Sequence, residues 1–146
     1  MPEWACENIT MENYLRIFKA LSHKTRLRIV NLFLSSDVEL CVCEIVDSLR
    51  ESQYNISKHL KELKYAGLIE EKKIGKWVSY SLTSDQDEFF RNIFKAIAGI
   101  PAAMRSDDLE MLLARLSLRQ EGKCILGLRT KQWEKIKKAL NKQGRS

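Results

Sequence analysis

Long apolar runs, a basic-then-apolar leader, glycine-rich phosphate loops and internal repeats are all missing from this chain of 146 residues. No apolar stretch approaches the roughly 18–20 residues of a membrane span, which excludes membrane-spanning classes. The N-terminus MPEWACENITMENY is acidic and carries no apolar segment behind a basic one, so no secretory signal is expected and the cytoplasm is the default compartment. There is no nucleophile elbow and no constellation of His with Cys or of paired carboxylates. Neither an enzyme nor a cofactor is therefore expected. Histidine is scarce: His23 and His59 are the only two.

What is present suits one globular domain. With 45% hydrophobic residues the chain can build a core without metal or disulfide staples. Its net charge is +6, and the location of that charge says more than the total. From residue 129 to 146 seven Lys or Arg stand against one Glu, which equals the whole excess and leaves residues 1–128 neutral. Within those, Arg50 to Lys76 holds seven basic residues against four acidic ones, a local surplus.

Apolar spacing predicts a helix over 11–21, with Tyr14, Leu15, Ile17, Phe18 and Leu21 as its stripe. A second helix, HKTRLRIVNLFL, follows with Ser22 as its expected N-cap. A short helix around 40–49 comes next, then the turn RES, then a helix from about Gln53 to Tyr65 with Ile56, Leu60 and Leu63 inward. Gly67 ends it as a C′ residue would. Residues 68–73 and 77–82 read as strands turning at Gly75. A helix-turn-helix followed by a hairpin makes a winged helix-turn-helix. Residues 86–98 form a further amphipathic helix, 107–118 an acid-capped one with Leu109, Leu112, Leu113 and Leu116 as its stripe, and 131–142 a last basic one. The expected class is mainly α with a small β-hairpin (α+β): an arm over 1–10, a winged helix-turn-helix for DNA binding and dimerisation over 11–98, and a C-terminal helical extension over 99–146.

A helix entering the major groove needs side chains for base edges and others for phosphates. Ser52, Gln53 and Asn55 open the 53–65 helix, where such proteins reach bases, and Ser57, Lys58 and His59 lie one turn on, His59 being open between a DNA contact and a packing residue. Lys72, Lys73 and Lys76 on the hairpin suit phosphates. The expected partner is double-stranded DNA.

The run LRESQYNISKHLKELKYAGLIEEKKIGKWVSYSL, preceded by LSHKTRLRIVNLF and ELCVCEI, resembles the core of the ArsR/SmtB family of winged-helix metalloregulators over about residues 11–98. That resemblance implies a homodimer that represses transcription from a roughly palindromic operator and leaves it when an inducer binds. It also implies a dimer interface made by the first and last core helices, here the Tyr14–Leu21 and Phe89–Ile97 stripes.

Four cysteines at irregular spacing, with no secretion signal, argue for reduced thiols acting as ligands or sensors. Cys41 and Cys43 form the informative pair. On a regular helix, positions i and i+2 point about 200° apart, so both sulfurs grip one ion only if the first turn unwinds. That conflict suggests a strained trigger beside the reading helix. Thiolates select soft ions, and ELCVC resembles the family's arsenite- and antimonite-responsive branch. Some members of that branch carry a third Cys where this chain has Val46. The third sulfur is then sought at Cys6, favoured by the precedent of N-terminal cysteines in the cadmium/lead branch, or at Cys124. Three thiolates suit As(III) or Sb(III), whereas all four cysteines would suit a tetrahedral Cd(II) or Zn(II), with Pb(II) also open. The last core helix has no His, which argues against the zinc, cobalt and nickel sites of the family. Thiol-based sensing of oxidants or reactive sulfur, and a constitutive architectural DNA binder, remain as rival readings.

Overall fold

The Thr10 N–H donates to Asn13 Oδ1 at 2.9 Å and opens helix α1, Met11–Leu21. The structure, a computed structural model, describes residues 10–84, 86–101, 104, 107–124, 127 and 130–143. Helix α2, Lys24–Ser36, follows almost at once. Its N-cap is His23, whose Nδ1 accepts from the Thr25 N–H at 3.2 Å, and not Ser22 as the pattern suggested. Ser22 closes α1 instead, its hydroxyl donating to the Phe18 carbonyl at 3.0 Å. Ile29, Val30, Leu32 and Phe33 are all buried, so α2 is covered on two sides and forms the centre of the core.

A two-residue strand β1, Leu40–Cys41, leads into helix α3, Val42–Leu49. Two residues are too few to show alternation, which is why periodicity missed the strand and began the helix early. Arg50 takes a left-handed conformation (φ 57°) and ends α3. Two residues on, Ser52 caps helix α4, Gln53–Tyr65, its hydroxyl accepting from the Asn55 N–H at 3.1 Å. Ile56, Leu60 and Leu63 face inward as their spacing required. Gly67, at φ 79°, then lets the Leu68 N–H reach back to the Leu63 carbonyl at 3.1 Å and stop the helix.

Strands β2 (Ile69–Ile74) and β3 (Trp77–Leu82) pair antiparallel from Ile69↔Leu82 to Ile74↔Trp77. Strand β1 adds to the free edge of β3, setting Leu40 opposite Tyr80 and Cys41 opposite Ser79. Cys41 therefore belongs to the sheet that carries the wing. Helix α5, Glu88–Ala98, is capped by Asp87, which accepts from the Phe90 N–H at 3.0 Å, and it buries Phe94 and Ile97. The architecture is mainly helical with a small three-stranded antiparallel sheet, a winged helix-turn-helix with a helical extension.

That extension is docked by charge. Helix α6, Asp108–Leu116, packs along α3. Of the leucine stripe read from the sequence, Leu112 is buried but Leu109 and Leu113 are exposed, and Asp108, Met111 and Arg115 turn inward. The reason is ionic pairing, to which an apolarity pattern is blind. Arg115 Nε donates to Asp47 at 2.8 Å with both side chains almost fully buried. Arg28 grips Asp108 through two bonds of 2.8 Å, and Arg50 reaches Asp107 at 2.6 Å. Helix α7, Lys131–Gln143, buries Trp133. Arg115→Ala strips the buried Asp47 carboxylate of this counter-charge and should cost about 3–5 kcal/mol of stability in urea unfolding. Leu113→Ala, on the exposed face, should move the same measurement by less than about 0.5 kcal/mol.

Candidate DNA-reading face and thiol site

Because Ile56, Leu60 and Leu63 fix the inward face of α4, its opposite face is free. Ser52, Gln53, Asn55, Ser57 and Lys58 are all exposed there. Tyr54, which the sequence argument passed over, stands 78% exposed among them. Its signal was an aromatic residue at a position that the inward spacing leaves outside. His59 departs from the expectation. It is 7% exposed, its ring lies 4.4 Å from that of His23, and its Nδ1 accepts from Arg26 Nε at 3.1 Å. Position 59 is three residues from Ile56 and four from Leu63, hence on the buried face. Burial, then the charges of His23, Arg26 and Lys58, hold its pKa below the ordinary histidine value. His59 is a neutral packing residue tying α4 to α2.

On the wing, Lys72, Lys73 and Lys76 are exposed. Glu71 accepts from the Tyr80 hydroxyl at 3.0 Å and from Lys64 Nζ at 3.3 Å, which sets the hairpin against the end of α4. Lys58→Ala should flatten the salt dependence of DNA binding by roughly one unit, the signature of one phosphate contact. His59→Gln should lower stability and leave that slope unchanged, measured by anisotropy titrations at several salt concentrations.

The cysteines converge. Cys41 is not helical: it has extended backbone (φ −84°, ψ 157°) and is the N-cap of α3, with Cys43 in the first turn. The anticipated i, i+2 conflict thus does not arise, and no unwinding is needed to turn both sulfurs the same way. Cys43 Sγ lies 3.3 Å from Cys124 Sγ, contributed by the extension 81 residues later. Cys41 is buried in the same cluster as the other two. Trp77 packs against the trio. Cys6 lies outside the described residues.

A turn presents Cys124. Gln120 and Lys123 pair across Glu121 and Gly122, both at positive φ (53° and 71°). The segment is tied to α3 by Arg119, which bonds both Glu44 oxygens at 2.7 Å and the Glu39 carbonyl at 2.6 Å. Glu44 is 0% exposed and also accepts from the Cys41 N–H at 3.0 Å. With both oxygens engaged, this carboxylate braces the site and is not free to ligate.

Hydrogen bonds from Cys41 and Cys43, together with the charges of Arg115 and Arg119, pull the Cys124 thiol well below its ordinary pKa. Hydrogen bonding with Cys124, together with burial, pushes the Cys41 and Cys43 thiols up. The shifts thus favour a thiolate at Cys124 beside protonated Cys41 and Cys43. A cleft of about 390 Å³, walled by Val38, Ile74, Trp77 and Lys123, leads to Cys41 and Cys124. An ion about 2.3 Å from each sulfur holds tetrahedral sulfurs about 3.8 Å apart. The 3.3 Å between Cys43 and Cys124 lies about 0.5 Å below that value, and Cys41 Sγ is within 4.8 Å of Cys124 Sγ. The donor set fits a soft, thiophilic ion.

A capped helix behind a tight turn, a basic wing and a core helix on either side define the winged helix-turn-helix class. The family model described as "Bacterial regulatory protein, arsR family" matches residues 23–71. The chain belongs to this ArsR family, whose members regulate transcription and are not enzymes. It is 42% identical over 79 residues to an uncharacterized HTH-type transcriptional regulator of Methanocaldococcus jannaschii, covering 52% of this chain and 88% of that protein. It is 48% identical over 69 residues to the arsenical resistance operon repressor of Escherichia coli K12, covering 47% of this chain and 58% of the repressor. The chain thus spans little more than half the length of that arsenic-resistance relative. HlyU from Vibrio cholerae N16961 superposes with a TM-score of 0.52 at 28% identity, over 60% of this chain and 89% of HlyU. The segment matched by the family model contains Cys41, Cys43 and α4, but not Cys124.

Proposed function

We propose that this chain is a cytoplasmic transcriptional repressor that binds operator DNA as a homodimer and is released when arsenite or antimonite is taken up by Cys41, Cys43 and Cys124. The observation that carries the reading is the clustering of three cysteines from segments 81 residues apart, two of which, Cys41 and Cys124, line one cleft. The similarity to an arsenical resistance operon repressor supports the choice of inducer. Gln53, Asn55 and Ser57 serve base edges, while Lys58 and the wing lysines serve phosphates. For the homodimer, α1 exposes Leu15 and Phe18, and the Phe89 ring of α5 lies 4.9 Å from Tyr14 and 5.9 Å from Phe18. That apolar ridge offers a self-complementary face to a second copy.

Release follows from where the sulfurs are rooted. Cys41 belongs to the wing sheet, Cys43 opens the helix before the reading helix, and Cys124 belongs to the extension. An inducer held by all three selects one relative placement of these parts. It moves the DNA equilibrium only by its differential affinity, about 1.4 kcal/mol for each tenfold change. Cys124→Ser should bind DNA like the wild type yet require at least about tenfold more arsenite for half-release in an anisotropy assay. An unchanged arsenite response would remove Cys124 from the site.

Proton balance separates the possible inducers. Neutral arsenous acid brings three hydroxyls that leave as water, so one thiolate and two thiols take up about one proton on binding it. A divalent cation instead displaces about two protons from the same trio. Arsenite affinity should therefore fall as pH rises between about 6 and 8, and Cd(II) affinity should rise, as read by calorimetry in buffers of different ionisation enthalpy.

A second reading has its own observation. At 3.3 Å, the Cys43 and Cys124 sulfurs are placed to form a disulfide, two thiols losing two hydrogens to a peroxide that leaves as two waters. Under that reading peroxide alone releases the DNA, and arsenite is without effect.

A further inference from the structure

We infer that helix α7 is a second DNA-contacting element, which lays a stripe of lysines on the phosphates flanking the site read by α4. The inference rests on the reading of α4 as the DNA-reading helix. Lys131, Lys135, Lys138 and Lys142 recur at i, i+4, i+7 and i+11, which places them along one face of α7. All four are exposed. Trp133 is buried, while Ile136 and Leu140 are partly buried, so the apolar side of the helix turns away from the stripe. An ordinary solvated face mixes signs. Here the single acid of the helix, Glu134, faces a cavity, and no ion pair engages the four lysines among the described residues.

The helix itself lies beside the helix-turn-helix. Trp133, Glu134 and Lys137 share a cavity of about 280 Å³ with Asp47, Arg50 and Glu51, at the end of α3 and the turn of the helix-turn-helix. Ser52, the cap of α4, is the next residue along. The first turns of α7 are thus seated beside the hinge that delivers α4 to the groove. From Lys131 to Lys142 the helix rises about 16 Å, close to the axial rise of five nucleotides on one DNA strand. The chain's whole positive excess lies in this helix and its flanks, because residues 1–128 are neutral. Lysines on phosphates act as point charges, so α7 adds affinity and footprint without reading sequence.

The test uses the full chain with a roughly 40-base-pair duplex of mixed sequence, since the phosphate contribution is independent of sequence. The triple variant Lys135→Gln, Lys138→Gln, Lys142→Gln should bind at least about tenfold more weakly at low salt. Its plot of log affinity against log salt should be shallower by about two to three units, near 0.9 for each lost contact. Replacing the same three lysines by Arg should restore both. A triple Gln variant with wild-type affinity and slope overturns the proposal, and so does an Arg variant as weak as the Gln one. Failure of the wild-type chain to bind duplex at all would count against the reading of α4 itself. Binding weakened by Lys58→Ala but untouched in the triple Gln variant would defeat only the role given to α7.

Discussion

Glu44 and Asp47 are buried on α3, and the charges that balance them, Arg119 and Arg115, both come from the extension. A buried carboxylate without a counter-charge costs several kcal/mol, so α3 can hold these two only while the extension is docked. The same docking carries Cys124 to Cys41 and Cys43. At its other end the extension places Asp107 and Asp108 on Arg50 and Arg28, against the turn of the helix-turn-helix. One strut of ion pairs thus runs the length of α3, from the thiols to the hinge of the reading helix. Remove it, and the site loses its third sulfur together with its brace.

In the proposed function this strut gives the thiols three mechanical outlets. The wing is reached through the pairing of Cys41 with Ser79 and through Trp77, the reading helix through α3, and the hinge through α6. Neither Cys41 nor Cys43 has to break a helix for an ion to be held, because Cys41 stands just outside it. The device is therefore a bridge between parts, and the strain suggested by the sequence alone is not required.

How much of this was legible depended on range. The limits of α4, its inward Ile56, Leu60 and Leu63, the stop at Gly67 and the wing around Gly75 are local patterns, and they appear where spacing and turn chemistry put them. Strand β1 was too short to leave a period. The buried Arg115 was hidden because hydrophobic spacing cannot register a cation neutralised by a distant Asp47. Cys124 joins the pair across 81 residues, a separation on which spacing is silent. His59 is a different case: its chemistry left it open between DNA contact and packing, and its offset from Ile56 and Leu63 puts it inward.

The central claim is that the extension completes the thiol site. It is tested most directly by alkylating the free thiols before and after one equivalent of arsenite and mapping the modified cysteines by mass spectrometry. The account requires Cys41, Cys43 and Cys124 to become protected together while Cys6 stays reactive. Protection of Cys6 with Cys41 and Cys43, leaving Cys124 open to alkylation, would contradict it.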